Sequence, residues 1–457
     1  MSKTKRRTFI RNSVAAGTAT LALPRFSIGE AGESPNSKLN LAFIGCAGRG
    51  ARSLNSCKSE NYVALCDVDE AHAAKSFKQF PDARRFQDFR VMFDKMEKEI
   101  DAVVVSTPDH THFAATMEAM RRGKHVYVEK PLTHDIWQAR TLRKAKHHYK
   151  LVTQMGNQAH ATNGIRNAVE WSRAGLIGEI KEVQVAHSGP NFGSKFFTNP
   201  ETMPPKADEI PETMDWDLWL GPLSPRDYSP EYAPHSWRSF WDMGGGMLGD
   251  WGCHTVDAPV WALDLGLPGK VEVVECAKAP VGVIPAHSVL KFHFPGKDGK
   301  PPVVMTWYDG MKNEGTKPPA APDYGYKKLG GGAILMGDKG CIVTPGHPRN
   351  ATIYPRTYFR DIKDQLPEQS IPRVPDSSPY KEWFRAIKGE GPEPGSNFDY
   401  SAHLTEIVLL GVLAQRTGKS FEWDAEKCQS GDPEIDVFIK QPVRKGWEYG
   451  EELWKEG

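Results

Sequence analysis

From Leu39 to Gln158 short apolar runs alternate with helical patterns, and this alternation constrains the fold more than any other feature of the chain. Residues 39–44, 62–66, 101–105, 124–128 and 151–155 read as strands. Patterns starting at Ala51 and spanning 70–80, 88–98 and 135–148 read as helices. Asp101-Ala102-Val103-Val104-Val105 is almost continuously apolar, as a strand covered on both faces requires. The expected architecture is a doubly wound parallel α/β sheet. The loops 45–50, 67–69, 107–112, 129–131 and 156–158 then gather along the carboxyl edge of the strands, where such sheets bind ligands.

The first loop, Gly45-Cys46-Ala47-Gly48-Arg49-Gly50, lies between a strand and a helix, the context of a dinucleotide-binding turn. Ala47 takes the place of the middle glycine, and Gly48 is an additional one. The turn's amides and the helix N-terminus suit a pyrophosphate. Asp67 follows the second strand, placed to accept hydrogen bonds from a ribose and to repel a 2′-phosphate. That favours NAD over NADP. The plainer reading of Asp67 is a cap for the helix beginning near Glu70.

Tyr127-Val128-Glu129-Lys130-Pro131-Leu132 brings a carboxylate and an amine to the end of the next strand, where Pro131 turns the chain. Lys130 is positioned there to meet a substrate. The alternative is a loop lysine paired with its neighbour. Thr107, Pro108 and His112 in the preceding loop, and Gln158 in the following one, complete the edge.

In the second half, Asn163 to Ala174 has helical spacing and Ile180 to Ala186 alternates like a half-buried strand, which puts a domain boundary near residue 160. Residues 190–240 are rich in Pro, Trp and Asp without periodicity, a loop region long enough to be functional or to wrap a partner. A glycine-rich stretch from Gly244 then opens a helical pattern running through Trp261 and carrying Asp250 and His254. Four residues apart, they share a helix face, and a carboxylate so placed can tune an imidazole for acid–base work. A purely structural Asp–His pair and a metal pair are the other readings. No further ligand sits at metal spacing, so no metal is expected. Residues 271–276, 288–294 and 303–308 read as strands, 311–325 and Gly330-Gly331-Gly332 as loops, and 379–387 and 401–415 as helices.

The 58 basic and 57 acidic residues leave almost no net charge, which argues against a nucleic-acid partner. Seven scattered cysteines, an odd number, do not make a disulfide framework. At the N-terminus, Lys5-Arg6-Arg7-Thr8-Phe9-Ile10-Arg11 precedes a weakly apolar stretch from Val14 to Leu23, the layout of a twin-arginine export signal. That stretch is too short for a permanent membrane span. The expected organisation is a signal and linker over 1–38, a Rossmann domain over 39–160 and a C-terminal domain over 161–457, in a periplasmic or otherwise exported protein.

The glycine turn, Asp67, Thr107-Pro108-Asp109-His110-Thr111-His112 and Glu129-Lys130-Pro131 together resemble the Gfo/Idh/MocA family, the glucose-fructose oxidoreductase and inositol dehydrogenase group. The resemblance covers nearly the whole chain after the signal. It implies an N-terminal Rossmann domain carrying NAD(P) and a C-terminal α/β domain with an open, mostly antiparallel sheet that helps form the substrate site and often oligomer contacts. It makes Lys130 the active-site lysine, with Asp250 and His254 matching the family's second motif. The implied activity is hydride transfer to or from a secondary hydroxyl of a sugar, glycoside or cyclic polyol; the periplasmic address, where free NAD is scarce, calls for a tightly held cofactor, and the open second sheet suits a dimer or tetramer. In that scheme His254 removes the hydroxyl proton, Lys130 positions the oxygen, and Asp250 orients His254. Redox-assisted glycoside cleavage and a non-catalytic sugar-binding protein are the alternatives.

Overall fold

The computed structural model describes residues 38–311 and 319–455. The twin-arginine stretch lies outside the described residues. From Leu39 onward the chain forms one compact unit built on two sheets.

The first sheet comes from β1 (Asn40–Ile44), α1 (Gly48–Ser56), β2 (Asn61–Cys66), α2 (Glu70–Gln79), β3 (Arg84–Phe86), α3 (Phe89–Met96), β4 (Ala102–Val105), α4 (Asp109–Arg121), β5 (His125–Val128), α5 (Ile136–Tyr149) and β6 (Thr153–Met155). Its order is β3-β2-β1-β4-β5-β6, and every pairing is parallel. The sequence runs for β1, β2, β4 and β5 coincide with strands. The three-residue β3 carries no apolar run that would have marked it, and α1 begins at Gly48 rather than Ala51.

Buried alternation explains the two covered faces. Val103 and Val105 belong to the core shared with α4 and α5, while Ala102 and Val104 belong to a separate cluster with Leu54 of α1 and Phe77 of α2. That second cluster also holds Tyr380, Trp383 and Phe384 of α11 (Pro379–Ile387), a helix from near the end of the chain. Tyr380 stacks on Tyr127 of β5 at 4.4 Å between ring centroids, and its hydroxyl donates to Ser53 Oγ at 2.8 Å. Burying each such ring contributes about 1.5–3 kcal/mol. The C-terminal segment therefore closes one face of the first sheet.

The second sheet is eight-stranded, in the order β13-β12-β11-β7-β10-β9-β8-β14. Between α6 (Asn163–Arg173) and its last strand the chain forms β7 (Ile180–His187), α7 (Trp216–Leu220), α8 (Gly246–Thr255), α9 (Asp257–Leu263), β8 (Lys270–Cys276), β9 (Ser288–Phe294), β10 (Val303–Asp309), β11 (Gly331–Gly337), β12 (Cys341–Pro345), β13 (Thr352–Tyr354), α10 (Arg356–Ile362), α11, α12 (Phe398–Thr417) and β14 (Phe421–Glu422). Only β10–β7 is parallel; the other pairings are antiparallel. The expectation of a loop at Gly330-Gly331-Gly332 is wrong in part, because β11 starts at Gly331. Gly332 is there because a Cβ would lie 2.0 Å from the Thr344 carbonyl oxygen of β12, with φ at +127°. The helical pattern expected through Trp261 is two helices that meet at Val256.

The aperiodic Trp- and Pro-rich stretch has a small core of its own. Met214, Trp216, Trp219, Tyr232, Trp237 and Phe240 pack together, with Val68 of the first sheet's edge against them. All seven cysteines are free thiols. Among the described residues no helix is long and apolar enough to cross a membrane.

Candidate active site

A cavity of about 750 Å³ opens along the carboxyl edge of the first sheet. Its lining includes Gly45, Ala47, Gly48, Arg49, Asp67, Thr107, Pro108 and Lys130 from the first sheet's loops, and Asp250 and His254 from α8. Residues read from widely separated stretches of sequence thus share one chamber.

The glycine turn is shaped by close backbone approach. A Cβ on Gly50 would lie 1.9 Å from the Gly45 carbonyl oxygen, and one on Gly45 would lie 2.6 Å from that of Ser106. Gly48, at φ +49°, has nothing within 4 Å of where its Cβ would be. The nine-residue α1 has no side-chain cap and no acidic residue in its first turn. Its leading amides remain available to an anion. Asp67 Oδ2 accepts the Cys46 amide at 2.7 Å and Oδ1 accepts the Asp69 amide at 3.1 Å. Burial raises its pKa and those amides pull it back. Asp67 does not cap α2; Asp69 does, accepting the Ala71 and His72 amides. These features fit the pyrophosphate and ribose of a dinucleotide.

Five predicted cofactor residues stand behind the lining rather than in it. Cys46 turns its thiol towards the Cys66 carbonyl oxygen, 3.4 Å away, and Gly50 lies against the turn. His112 sets Nδ1 2.8 Å from the Pro131 carbonyl oxygen and Nε2 2.9 Å from that of Thr107, joining two loops of the edge. Glu129 accepts from Arg49 Nε at 2.7 Å and from Gln158 Nε2 at 3.0 Å. Glu129 and Gln158 therefore fix Arg49 beneath the turn.

Helix α8 is brought in by its glycines. A Cβ on Gly252 would lie 2.8 Å from Val408 of α12, so only glycine allows these helices to approach so closely. Asp250 then meets Lys130 Nζ, at 2.7 Å from its Oδ1, and Arg238 Nε, at 3.0 Å. Lys130 also donates to the Asp250 carbonyl oxygen, and the Lys130–Pro131 peptide is cis. Burial opposes the charged carboxylate, but Lys130 and Arg238 outweigh it and hold Asp250 far below the usual range.

Asp250 and His254 share a helix face as expected, and the Asp250 charge raises the His254 pKa against the other influences, but no hydrogen bond joins them. Both face the cavity, but the two nearby cations take the carboxylate. His254 is buried, and its Nδ1 has no hydrogen-bond partner. Burial, then Lys130 and His347, push its pKa well down, so its imidazole is neutral. His347 packs on it at 4.2 Å between centroids, and Trp251 borders both rings.

Sequence reasoning singled out neither Arg238 nor His347, since each lies in a segment without periodicity. Asp109, quoted only as part of a motif, is buried near Lys130 and Arg238. Burial lifts its carboxyl to about 7 against the pull of those two cations. Among the described residues no group of three or more His, Cys, Asp or Glu is placed to hold a metal ion.

Strand order, glycine turn and terminal acid make the first sheet a dinucleotide-binding Rossmann domain, with a second α/β unit closing its site. Residues 39–162 match the sequence model of the oxidoreductase family with an NAD-binding Rossmann fold, and 161–293 match that family's C-terminal alpha/beta domain. The chain belongs to this Gfo/Idh/MocA oxidoreductase family.

Among its relatives is a glycosyl hydrolase family 109 protein of Solibacter usitatus, 27% identical over 207 residues, 41% of this chain and 47% of the relative. Another is an inositol 2-dehydrogenase/D-chiro-inositol 3-dehydrogenase of Lacticaseibacillus casei, 28% identical over 184 residues, 38% of this chain and 52% of the relative. The match thus spans about half the length of these curated relatives. Aldose-aldose oxidoreductase from Caulobacter crescentus shares the fold with a TM-score of 0.55 and 16% identity, over 84% of this chain and 99% of that one. The WlbA dehydrogenase from Bordetella pertussis, solved with NADH and UDP-GlcNAcA, shares it with a TM-score of 0.57 and 16% identity, over 85% and 99%.

Proposed function

We propose that this protein is an NAD-dependent oxidoreductase that transfers hydride to or from a secondary hydroxyl of a sugar, glycoside or cyclic polyol. The observation that carries the reading is the meeting of Lys130 and His254 in the cavity that also holds the glycine turn and Asp67. When bound, NAD supplies the hydride acceptor or donor. Its pyrophosphate falls to the amides of the turn and α1, and its ribose to Asp67.

Lys130 Nζ, fixed by Asp250, donates to the substrate oxygen and stabilises the negative charge that develops there. The neutral His254 imidazole accepts the hydroxyl proton in oxidation and returns it in reduction. Asp250 acts on Lys130 and Arg238, and through them on the oxygen.

A second reading, redox-assisted glycoside cleavage on a resident NAD, is favoured by one observation, the similarity to the family 109 glycosyl hydrolase. Export by the twin-arginine route fits a cofactor loaded before transport and recycled within each turnover. A dimer or tetramer built on the open second sheet completes the proposal.

The test begins with protein purified without added nucleotide, denatured, and assayed for released nucleotide by absorbance and mass. Stoichiometric NAD(H) supports the reading, and NADP(H) overturns the role given to Asp67. An empty protein that also fails to bind added NADH overturns the enzyme reading.

A further inference from the structure

The second α/β unit contributes more to the cavity than α8. Met214, Leu218, Trp219, Pro234, His235, Trp237 and Arg238 also line it, all from the Trp- and Pro-rich stretch. This stretch is tied to the corner just beyond Asp67. The Glu70 amide donates to the Thr213 carbonyl oxygen at 3.0 Å, and the Asp215 amide to that of Val68 at 2.8 Å. Asp69 and Met214 form an isolated antiparallel bridge, and Thr213 Oγ1 donates to Asp69 Oδ1 at 3.1 Å. A second tie lies at the start of α4, where His110 Nε2 is 3.0 Å from the Trp219 carbonyl oxygen. Further along, the His235 ring meets that of His72 on α2, with centroids 5.4 Å apart.

The ties of residues 213–215 and His235 fall on the stretch that follows the ribose-binding acid, whereas Arg238, at the segment's far end, reaches Asp250 beside Lys130. A segment with its own buried aromatic core is a firm wall, not a loose loop. Its cavity-facing side chains at this end, Met214 and Leu218, offer apolar and polarisable surface, which suits the face of a purine. The imidazole of His235 adds an aromatic edge.

Building on the NAD reading, we propose that residues 211–235 form a second half of the dinucleotide site and close over the adenosine moiety. Met214 and His235 are the contacts that matter most. The Rossmann face holds the pyrophosphate and ribose, and this segment covers what that face leaves open. This gives a route to cofactor retention that uses only this chain's own residues.

The experiment compares three ligands on the full-length protein: NADH, ADP-ribose, and reduced nicotinamide mononucleotide, which lacks adenosine. Affinities and release rates are followed by fluorescence and calorimetry for the wild type, the Met214→Gly/His235→Ala double variant and the single His235→Ala variant. The double variant should release NADH and ADP-ribose about ten-fold faster or more, equivalent to about 1.4 kcal/mol, with the mononucleotide unaffected. His235→Ala alone, a change at a half-buried ring, should show a smaller shift in the same direction and keeps the test open if the double variant does not fold. Unchanged ADP-ribose release, or equal weakening of all three ligands, overturns the proposal while leaving the NAD reading in place. A wild type that binds none of the three overturns both.

Discussion

Lys130 Nζ donates to Asp250 Oδ1 at 2.7 Å, joining the carboxyl end of β5 to α8 across the two sheets. Arg238 reaches the same oxygen at 3.0 Å. One carboxylate thus holds two cations at the point where the sheets meet. The pairing gives Asp250 a role different from the one its spacing to His254 suggests.

Asp250→Ala leaves Lys130 and Arg238 without their shared acceptor. Turnover should fall by about 10²–10³-fold, the scale of losing one preorganised electrostatic group. NADH affinity should move by less than about three-fold, since the turn and Asp67 are untouched. Steady-state rates with candidate sugars and NADH titration check this. Near-wild-type rates would rule out the assigned role.

Lys130→Met and His254→Ala remove, respectively, the donor to the substrate oxygen and the proton acceptor. Each should abolish measurable turnover while NADH still binds. Retained activity in either variant contradicts the mechanism.

Much of this was legible because period and punctuation agree. The apolar runs at β1, β2, β4 and β5 have no other stable use than a doubly covered sheet, and the loops after them had to share an edge. The glycine turn and Asp67 were legible for the same reason. Helix spacing placed Asp250 and His254 on one face, but spacing cannot say which partner a carboxylate takes. The answer depended on Lys130 and Arg238, brought in by tertiary packing. His347 arrives from the loop after β12 and Tyr380 from α11, contacts between residues far apart in sequence that leave no local pattern. Gly332 read as a loop residue because its strand role depends on the close approach of Thr344.

Asp257 anchors a buried polar network behind the site. His160 Nδ1 lies 2.9 Å from its Oδ1, the Tyr400 hydroxyl donates to the same oxygen at 2.6 Å, and Asn157 Nδ2 donates to Oδ2 at 2.9 Å. Asp257→Ala strands His160 Nδ1 and Asn157 Nδ2 in the interior, while the Tyr400 hydroxyl keeps the residue 257 carbonyl oxygen, 3.2 Å away. The cost should be about 3 kcal/mol or more, seen as a lower denaturation midpoint in urea with an unchanged m-value. A loss below about 1 kcal/mol would mean that water or rearrangement satisfies these groups.

Stability should fall as the pH drops from about 6.5 towards 4.5, a window set by buried histidines. Burial drives His110, His112 and His125 down to about 4 and His134 to about 3. His347 is also lowered to about 4 by burial and then Arg349, and His254 is pushed well below its usual value. In the unfolded chain each of these groups takes up a proton near its ordinary value of about 6.5, so acid favours unfolding. Four buried carboxyls act in the opposite sense, and Asp67, raised by burial, is one of them. Burial raises Asp109 and Asp135 to about 7 and Asp309 to about 6, so the folded protein already holds protons there that the unfolded chain lacks until about pH 4. The histidines outnumber the carboxyls, and the unfolded state binds more protons across the window. Calorimetry should show the melting temperature falling by about 5 °C or more over this range. A flat or rising melting temperature would mean that these imidazoles are protonated in the folded state.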